Sequence, residues 1–298
     1  MRYVHDIRSI GCTAGNREVE IVNEPDPAGD VADPAAVVAL FASALRSTDQ
    51  YREPTSGEQV AAVRGLDRLL DGPDGLDAAT TSLAGVGFSR STGVDTATDR
   101  PYALFRGDDT TGRGWGLIIV DLSQPVRLVI EVPHPGSDLE TDQLGVRLFR
   151  RTPGALLLIA GAHRRAGNGA ADVAHNADSI FDAMATEFAG RGLPQLQLHG
   201  YADKNLPDAD VVVSTGPALV TPAVRRLAER LADAGLVTCR AWVLECGRLE
   251  GVTNVQGRTA ADHGSLFVHL EMSYRVRRSA RLQGAVAEAV RAADLTRP

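Results

Sequence analysis

The chain has 298 residues, 44% of them hydrophobic and 5% aromatic, with a formal net charge of −7. That length and apolar fraction suffice for one large core, or for a core with a small accessory region. The charge is spread along the sequence, no basic stripe is interleaved with aromatics, and no apolar run approaches the roughly 18 residues of a membrane span, so neither nucleic acid nor membrane is an expected partner.

Residues 1–32 are acidic and rich in Gly, Pro and Asp, and read as a flexible arm. Met1 to Ile10 lack the continuous apolar stretch of a signal peptide, since Asp6 and Arg8 interrupt it; the chain as written reads as cytoplasmic, with export of a longer form left open. Cys12, Cys239 and Cys246 show neither a disulfide framework nor a C-x-x-C spacing, and a reducing compartment is the simpler reading, although Cys239 and Cys246 have the option of meeting across two strands.

A small helical region is expected over residues 33–95. Asp33 caps its first helix with Pro34 at the first helical position, and Val37, Leu40, Phe41 and Ala44 share a face. Thr55-Ser-Gly-Glu58 has capping-box spacing and opens a second helix carrying Val60, Val63, Leu66 and Leu70. From about residue 84 the pattern turns to strands. Four runs, at 85–89, 102–106, 115–121 and 126–132, follow one another with short Gly, Asp and Pro connections and suggest an antiparallel meander. After residue 134, helices at 141–150, 177–190, 222–234 and 280–293 alternate with strands at 155–160, 194–199, 209–214, 236–243 and 266–272. Residues 96–298 therefore read as one α/β domain, a mixed sheet with helices on both faces in which antiparallel strands lead into a parallel core.

Histidines stand at the ends of the apolar runs. In open α/β sheets ligands collect beyond the carboxyl ends of strands, so His134, His163 and His199 are candidates to converge there. His134 is followed four residues later by Asp138 across a Pro/Gly turn, a spacing that can bring a nitrogen and an oxygen to one tetrahedral zinc. Asp138 is equally placed to cap the next helix, and Glu140 and Asp142 compete with it as the carboxylate. One zinc also requires the two histidine rings to lie within about 5 Å. Gln195, Gln197 and His199 share one strand face, and buried polar groups need partners, which a network beneath a metal ligand would supply.

The densest polar cluster is Gly161 to Arg165 followed by Ala171 to Asn176. Arg164 offers a planar fork for a substrate carboxylate. Asp172 and His175 are rival metal ligands if one turn apart, while Asp172 or Asn176 can instead cap the following helix; His175 and Asn176 are candidate substrate contacts. His269 and Glu271 share a face of an otherwise apolar strand, where a carboxylate needs a partner or a task. Beside a metal, Glu271 would serve as general base; otherwise it pairs with Arg275 or Arg278. Residues 251–258 read as a loop over the cleft, with Asn254 and Gln256 in reach of substrate.

The order of these motifs, strand-His-Pro with a following acidic residue, an Arg-containing turn, a strand ending in His-Gly, an Asn-bearing loop and a strand with Leu-Glu, resembles the N-formylglutamate amidohydrolase group and the wider carboxypeptidase A-like zinc hydrolases. The resemblance covers residues 115–279. It implies a phosphorylase/hydrolase-like fold, one zinc ion held by His134, His199 and Asp138, Glu271 as base, and Arg164 for the carboxylate of a small amide or peptide substrate. Glu140, His163, Asp172 and His269 are alternative ligands. The chain departs from the H-x-x-E spacing of zinc peptidases and from the group's Asp-x-Asn-Arg element, where it has Asp172 to Asn176 with a histidine. A catalytically silent ligand-binding relative and a metal-free structural α/β protein are the competing readings.

Overall fold

The computed structural model describes residues 33–297, so the expected arm at 1–32 lies outside the described residues. Helices α1 (Pro34–Ala44), α2 (Ser56–Leu70) and α3 (Leu76–Ala84) precede strands β1 (Phe88–Asp95), β2 (Arg100–Gly107), β3 (Leu117–Asp121) and β4 (Leu128–Val132). Then come α4 (Thr141–Arg151), β5 (Ala155–Ile159), α5 (Ile180–Gly190), β6 (Gln195–Tyr201), β7 (Val211–Ser214), α6 (Pro222–Asp233) and β8 (Thr238–Arg240). The chain closes with α7 (Val255–Asp262), β9 (Phe267–Ser273), α8 (Tyr274–Arg277) and α9 (Ala280–Ala293).

The helix starts follow their local chemistry. Asp33 accepts from the Ala35 backbone N–H ahead of Pro34, and Thr55 and Glu58 form the reciprocal capping box. The buried faces differ from the expected ones. In α1, Pro34, Val38 and Phe41 point inward while Leu40 is 71% exposed; in α2, Ala62, Gly65, Leu66 and Leu69 are buried and Val60 faces out. Phe41 and Leu66 stay on the buried faces as expected, while Val38 replaces Val37, and Ala62, Gly65 and Leu69 replace Val60, Val63 and Leu70.

The nine strands of the described residues form one sheet in the order β1-β2-β3-β5-β4-β6-β9-β7-β8. The first three make the antiparallel meander, but β4 does not continue it: β5 inserts between them, antiparallel to β3 and parallel to β4. From β4 through β6 to β9 the sheet is parallel. β1, within the region read as helical, is thus the sheet's edge. Strand β8 is shorter than expected because the chain turns after Arg240, with Val243 and Leu244 bonding back to its carbonyl. Leu196, Leu198, Val268 and Leu270 face a core shared with α1, α4, α6 and α9, whereas α2, α3 and α5 pack on the other face over Phe105, Val129 and Leu156. Helices therefore cover both faces.

Cys239 and Cys246 are joined by a disulfide, which corrects the reading of an unlinked set of cysteines. The partner is not on a second strand as the sequence option had it: Cys246 lies in the loop after β8, too close in sequence to be recognised as a framework. Among the described residues no helix is long and apolar enough to cross a membrane.

Candidate metal centre

Strands β4, β6 and β9 run in the same direction, so their carboxyl ends open on one side of the sheet. Their register sets Glu131, Gln197 and His269 side by side, and pairs His199 with Glu271 one step further toward that end. All five share a face by alternation. Beyond them lies a cavity of about 560 Å³, lined among others by His134, Asp138, Arg164, His175, Asn254 and Glu271.

His134 follows β4 by two residues and is almost wholly buried. A tight turn returns the Ser137 and Asp138 backbone N–H groups to its carbonyl, carrying Asp138 back over the imidazole. Asp138 Oδ2 lies 3.2 Å from His134 Nδ1, 3.5 Å from His199 Nδ1, and accepts from the Gly200 N–H at 3.2 Å. The far nitrogens are occupied too. His134 Nε2 is 2.8 Å from Asp172 Oδ1, and His199 Nε2 is 2.7 Å from Gln197 Oε1. Each ring thus has a hydrogen-bond partner on its Nε2 side and presents Nδ1 to the same carboxylate oxygen, the arrangement by which outer partners orient metal-binding imidazoles.

The ring centroids of His134 and His199 are 5.1 Å apart, at the edge of what one ion allows, but the ligand atoms of His134, Asp138 and His199 all lie within 4.8 Å of one another. His199, His269 and Glu271 make a second such group. The donor chemistry of the first, two imidazoles and a carboxylate, fits a divalent transition metal.

Charge at the site follows burial and contact. Burial alone would raise the Asp138 pKa, but the His134 hydrogen bond and the close contact of both imidazoles with the carboxylate hold it far below the ordinary carboxylate range. Burial disfavours a proton on His134, yet Asp138 and Asp172 at its two nitrogens raise its pKa overall. His199 is pulled down to about 4, chiefly by burial, so its ring is neutral at pH 7. His269, stacked on His199 at 4.3 Å, is likewise held well below its ordinary value by burial and by its neighbour. Glu271 is pushed well above its ordinary value by burial and by the Asp138 charge. Its Oε2 and His269 Nδ1 are buried with no hydrogen-bond partner among the described residues.

Beneath the histidines lies the polar network that the glutamines on β6 demanded. Gln197 Nε2 donates to Glu131 Oε2 at 2.9 Å and to Gln256 Oε1 at 3.1 Å, while its Oε1 accepts from Asn254 Nδ2 at 2.5 Å. Burial pushes Glu131 up to about 8. Glu131 was not singled out in the sequence, though a lone carboxylate inside Leu128–Val132 was a visible signal.

The other expected site residues divide. Arg164 lines the cavity, but its Nε and Nη2 both donate to Asp172 Oδ2, at 3.2 and 2.6 Å, so that edge of the fork holds a protein carboxylate. Asp172 supports His134 and does not cap α5; Ser179 caps it. His175 is exposed on the cavity wall, 3.2 Å from Asp172 Oδ1. Asn176 is spent on its own surroundings, donating to Glu53 Oε1 and Ala170 O and accepting from Asp178 N–H. Asn254 does reach the cavity, but as the N-cap of α7, so residues 251–258 are half helix where a loop was expected. His163 turns to Ser137 Oγ and the Arg165 N–H, and Glu140 sits at the start of α4; neither lines the cavity. Glu271 pairs with neither Arg275, which holds Asp210, nor Arg278, which donates to the Tyr274 hydroxyl. Arg277, which sequence reading missed, is a buried cation whose charge partly offsets the rise of the Glu271 pKa, and it is anchored on the carbonyls of Leu139, Tyr201 and Met272.

No family model and no curated protein matches the chain. Among solved structures it is similar to a bacteriophage poly-gamma-glutamate hydrolase, at 20% identity over 59% of this chain and 86% of that one, with a TM-score of 0.44. The zinc-free form of YNDL overlaps at 20% identity over 58% and 85% of the two chains, with a TM-score of 0.39. An aspartoacylase-family protein from Mesorhizobium loti overlaps at 14% identity over 67% of each chain, with a TM-score of 0.37.

Proposed function

We propose that the protein is a zinc-dependent hydrolase of amide or peptide bonds in a small, carboxylate-bearing substrate, with one ion held by His134, Asp138 and His199. The observation that carries this reading is the convergence of two Nδ1 atoms on Asp138 Oδ2 while both Nε2 atoms are held from behind. Two imidazoles and one carboxylate leave a fourth tetrahedral position open, as a catalytic zinc needs. When bound, such an ion supplies Lewis acidity toward a substrate carbonyl.

The chain's own residues supply the rest. Glu271 stands beside His199 with an unpartnered oxygen, able to take a proton from an attacking water and deliver it to the leaving nitrogen. A carboxylate held above its ordinary pKa is the stronger base. Arg164 on the wall, although it is shared with Asp172, brings a positive charge that favours an anionic substrate.

The test is metal analysis of the purified protein together with hydrolysis of a panel of N-acyl amino acids and short peptides, for the parent and Glu271→Gln. One zinc per chain is expected in both, with turnover lower by about 10² to 10⁴ in the variant, the usual contribution of general acid–base catalysis. Zinc lost from Glu271→Gln would make Glu271 a ligand with His269. A parent that binds no metal at all would overturn the proposal.

A further inference from the structure

We infer that Asn254 and Gln197 fix which nitrogen of His199 carries its proton, so that Nδ1 faces Asp138 as a bare lone pair before any metal arrives. The chain of assignments starts from a group with no ambiguity, the backbone N–H of Gly257, which can only donate. It donates to Asn254 at 2.9 Å, so the atom it meets is the amide oxygen and the other end of Asn254 is the nitrogen. That nitrogen donates to Gln197 at 2.5 Å, so the Gln197 atom it meets is the oxygen. The same oxygen lies 2.7 Å from His199 Nε2. An amide oxygen only accepts, so Nε2 holds the proton; the neutral ring has just one, and Nδ1 is therefore unprotonated.

The opposite end of Gln197 is fixed independently, again from the backbone. The Val173 carbonyl can only accept, and the Gln256 atom 2.8 Å from it is therefore nitrogen. This turns Gln256 Oε1 toward Gln197 Nε2 at 3.1 Å, where Glu131 Oε2 is a second acceptor at 2.9 Å. Flipping Gln197 would set nitrogen against the Asn254 nitrogen and oxygen against the Gln256 oxygen. Asn254 is the N-cap of α7 and Gln256 lies in its first turn, so one helix terminus holds both ends of the relay.

The relay opposes a real competitor. Asp138 Oδ2 is a charged acceptor 3.5 Å from Nδ1, and hydrogen bonds to charged acceptors are about twice as strong as neutral ones. Left alone, His199 would turn its proton to Asp138 and close its own ligand atom. The consequence for metal binding rests on the function proposed above; the tautomer itself does not.

The experiment is nitrogen NMR of the full-length, metal-free protein with 15N-labelled histidine at about pH 8, above the ordinary histidine range. The His199 signals are assigned by comparison with His199→Asn. In the parent, His199 should show a protonated Nε2 and an unprotonated Nδ1. Asn254→Asp keeps the helix cap but replaces the donor by an acceptor, which turns the Gln197 nitrogen toward His199 Nε2 and should move the proton to Nδ1. Zinc affinity should then fall about 10- to 100-fold, the usual effect of losing an outer partner. Gln197→Met, which removes the acceptor altogether, should also move the proton toward Asp138. A parent with Nδ1 protonated, or both variants keeping the parental tautomer, would overturn the inference. The expected tautomers in a protein that binds no zinc would support it while refuting the hydrolase reading.

Discussion

Arg164 grips Asp172 by two nitrogens of its guanidinium, and Asp172 in turn holds the Nε2 side of His134. The arginine is thus linked to the candidate metal through one carboxylate, and its effect on a substrate should be judged with that link in view.

Arg164→Lys keeps the charge but loses the fork that holds Asp172. Activity toward carboxylate-bearing and neutral substrates should fall together, with zinc affinity weaker by about 10- to 100-fold, as for other outer partners. Kinetics on matched substrate pairs check this; a loss confined to carboxylate-bearing substrates would return Arg164 to recognition.

A double His134→Ala, His199→Ala variant should purify without zinc while the parent carries one ion. Stoichiometric metal in the variant, measured by elemental analysis, would move the ion to other ligands.

Glu131 should make the protein less stable as pH rises. Its folded pKa of about 8 lies above the unfolded value near 4.5, so between those limits the unfolded chain releases a proton that the folded chain retains. Stability is therefore lost as pH rises from about 4.5 to 8 and levels beyond, by roughly 5 kcal/mol as an upper bound. Glu131→Gln should flatten that slope, which urea unfolding between pH 5 and 9 will show.

Gly251 has φ +64°, and a Cβ there would stand 2.6 Å from His269 Cδ2, a buried ring stacked on His199. Gly251→Ala should destabilise the fold by about 1 to 3 kcal/mol through backbone strain and ring displacement. Thermal unfolding beside Gly247→Ala, where φ is +69° but a Cβ meets nothing within 4 Å, separates the two effects.

Breaking the disulfide by Cys239→Ser should cost about 2 to 3 kcal/mol, as expected for so short a closed loop. The midpoint of thermal unfolding should fall equally in the parent under a thiol reductant.

What the sequence made visible were features written in one stretch of chain. His134 and His199 stood out because polar residues ended apolar runs, and Glu271 because alternation exposed a carboxylate among Val268, Leu270 and Met272. Relations between stretches were not legible. The insertion of β5 between β3 and β4 leaves no local mark, so the fourth strand read as part of the meander. The pairing of Arg164 with Asp172 depends on how the loop between them folds. Helix α7 stayed hidden because Val255, Gln256 and Gly257 show no apolar periodicity, and Asn254, a residue type that caps helices, was read as a substrate contact instead. The disulfide was missed because a separation of seven residues suits a turn as well as a bridge.

Residues 247–254 form one wall of the cavity and are fastened in three places: the bond from Cys239 to Cys246 just before them, the Ser214 hydroxyl on the Glu250 carbonyl at 2.6 Å, and the Asn254 cap at their end. A wall tied so often does not swing like a gate. A molecule entering this slot meets a rim already in its final shape, so arrival should be governed by diffusion and the shedding of water, and choice among molecules by their girth.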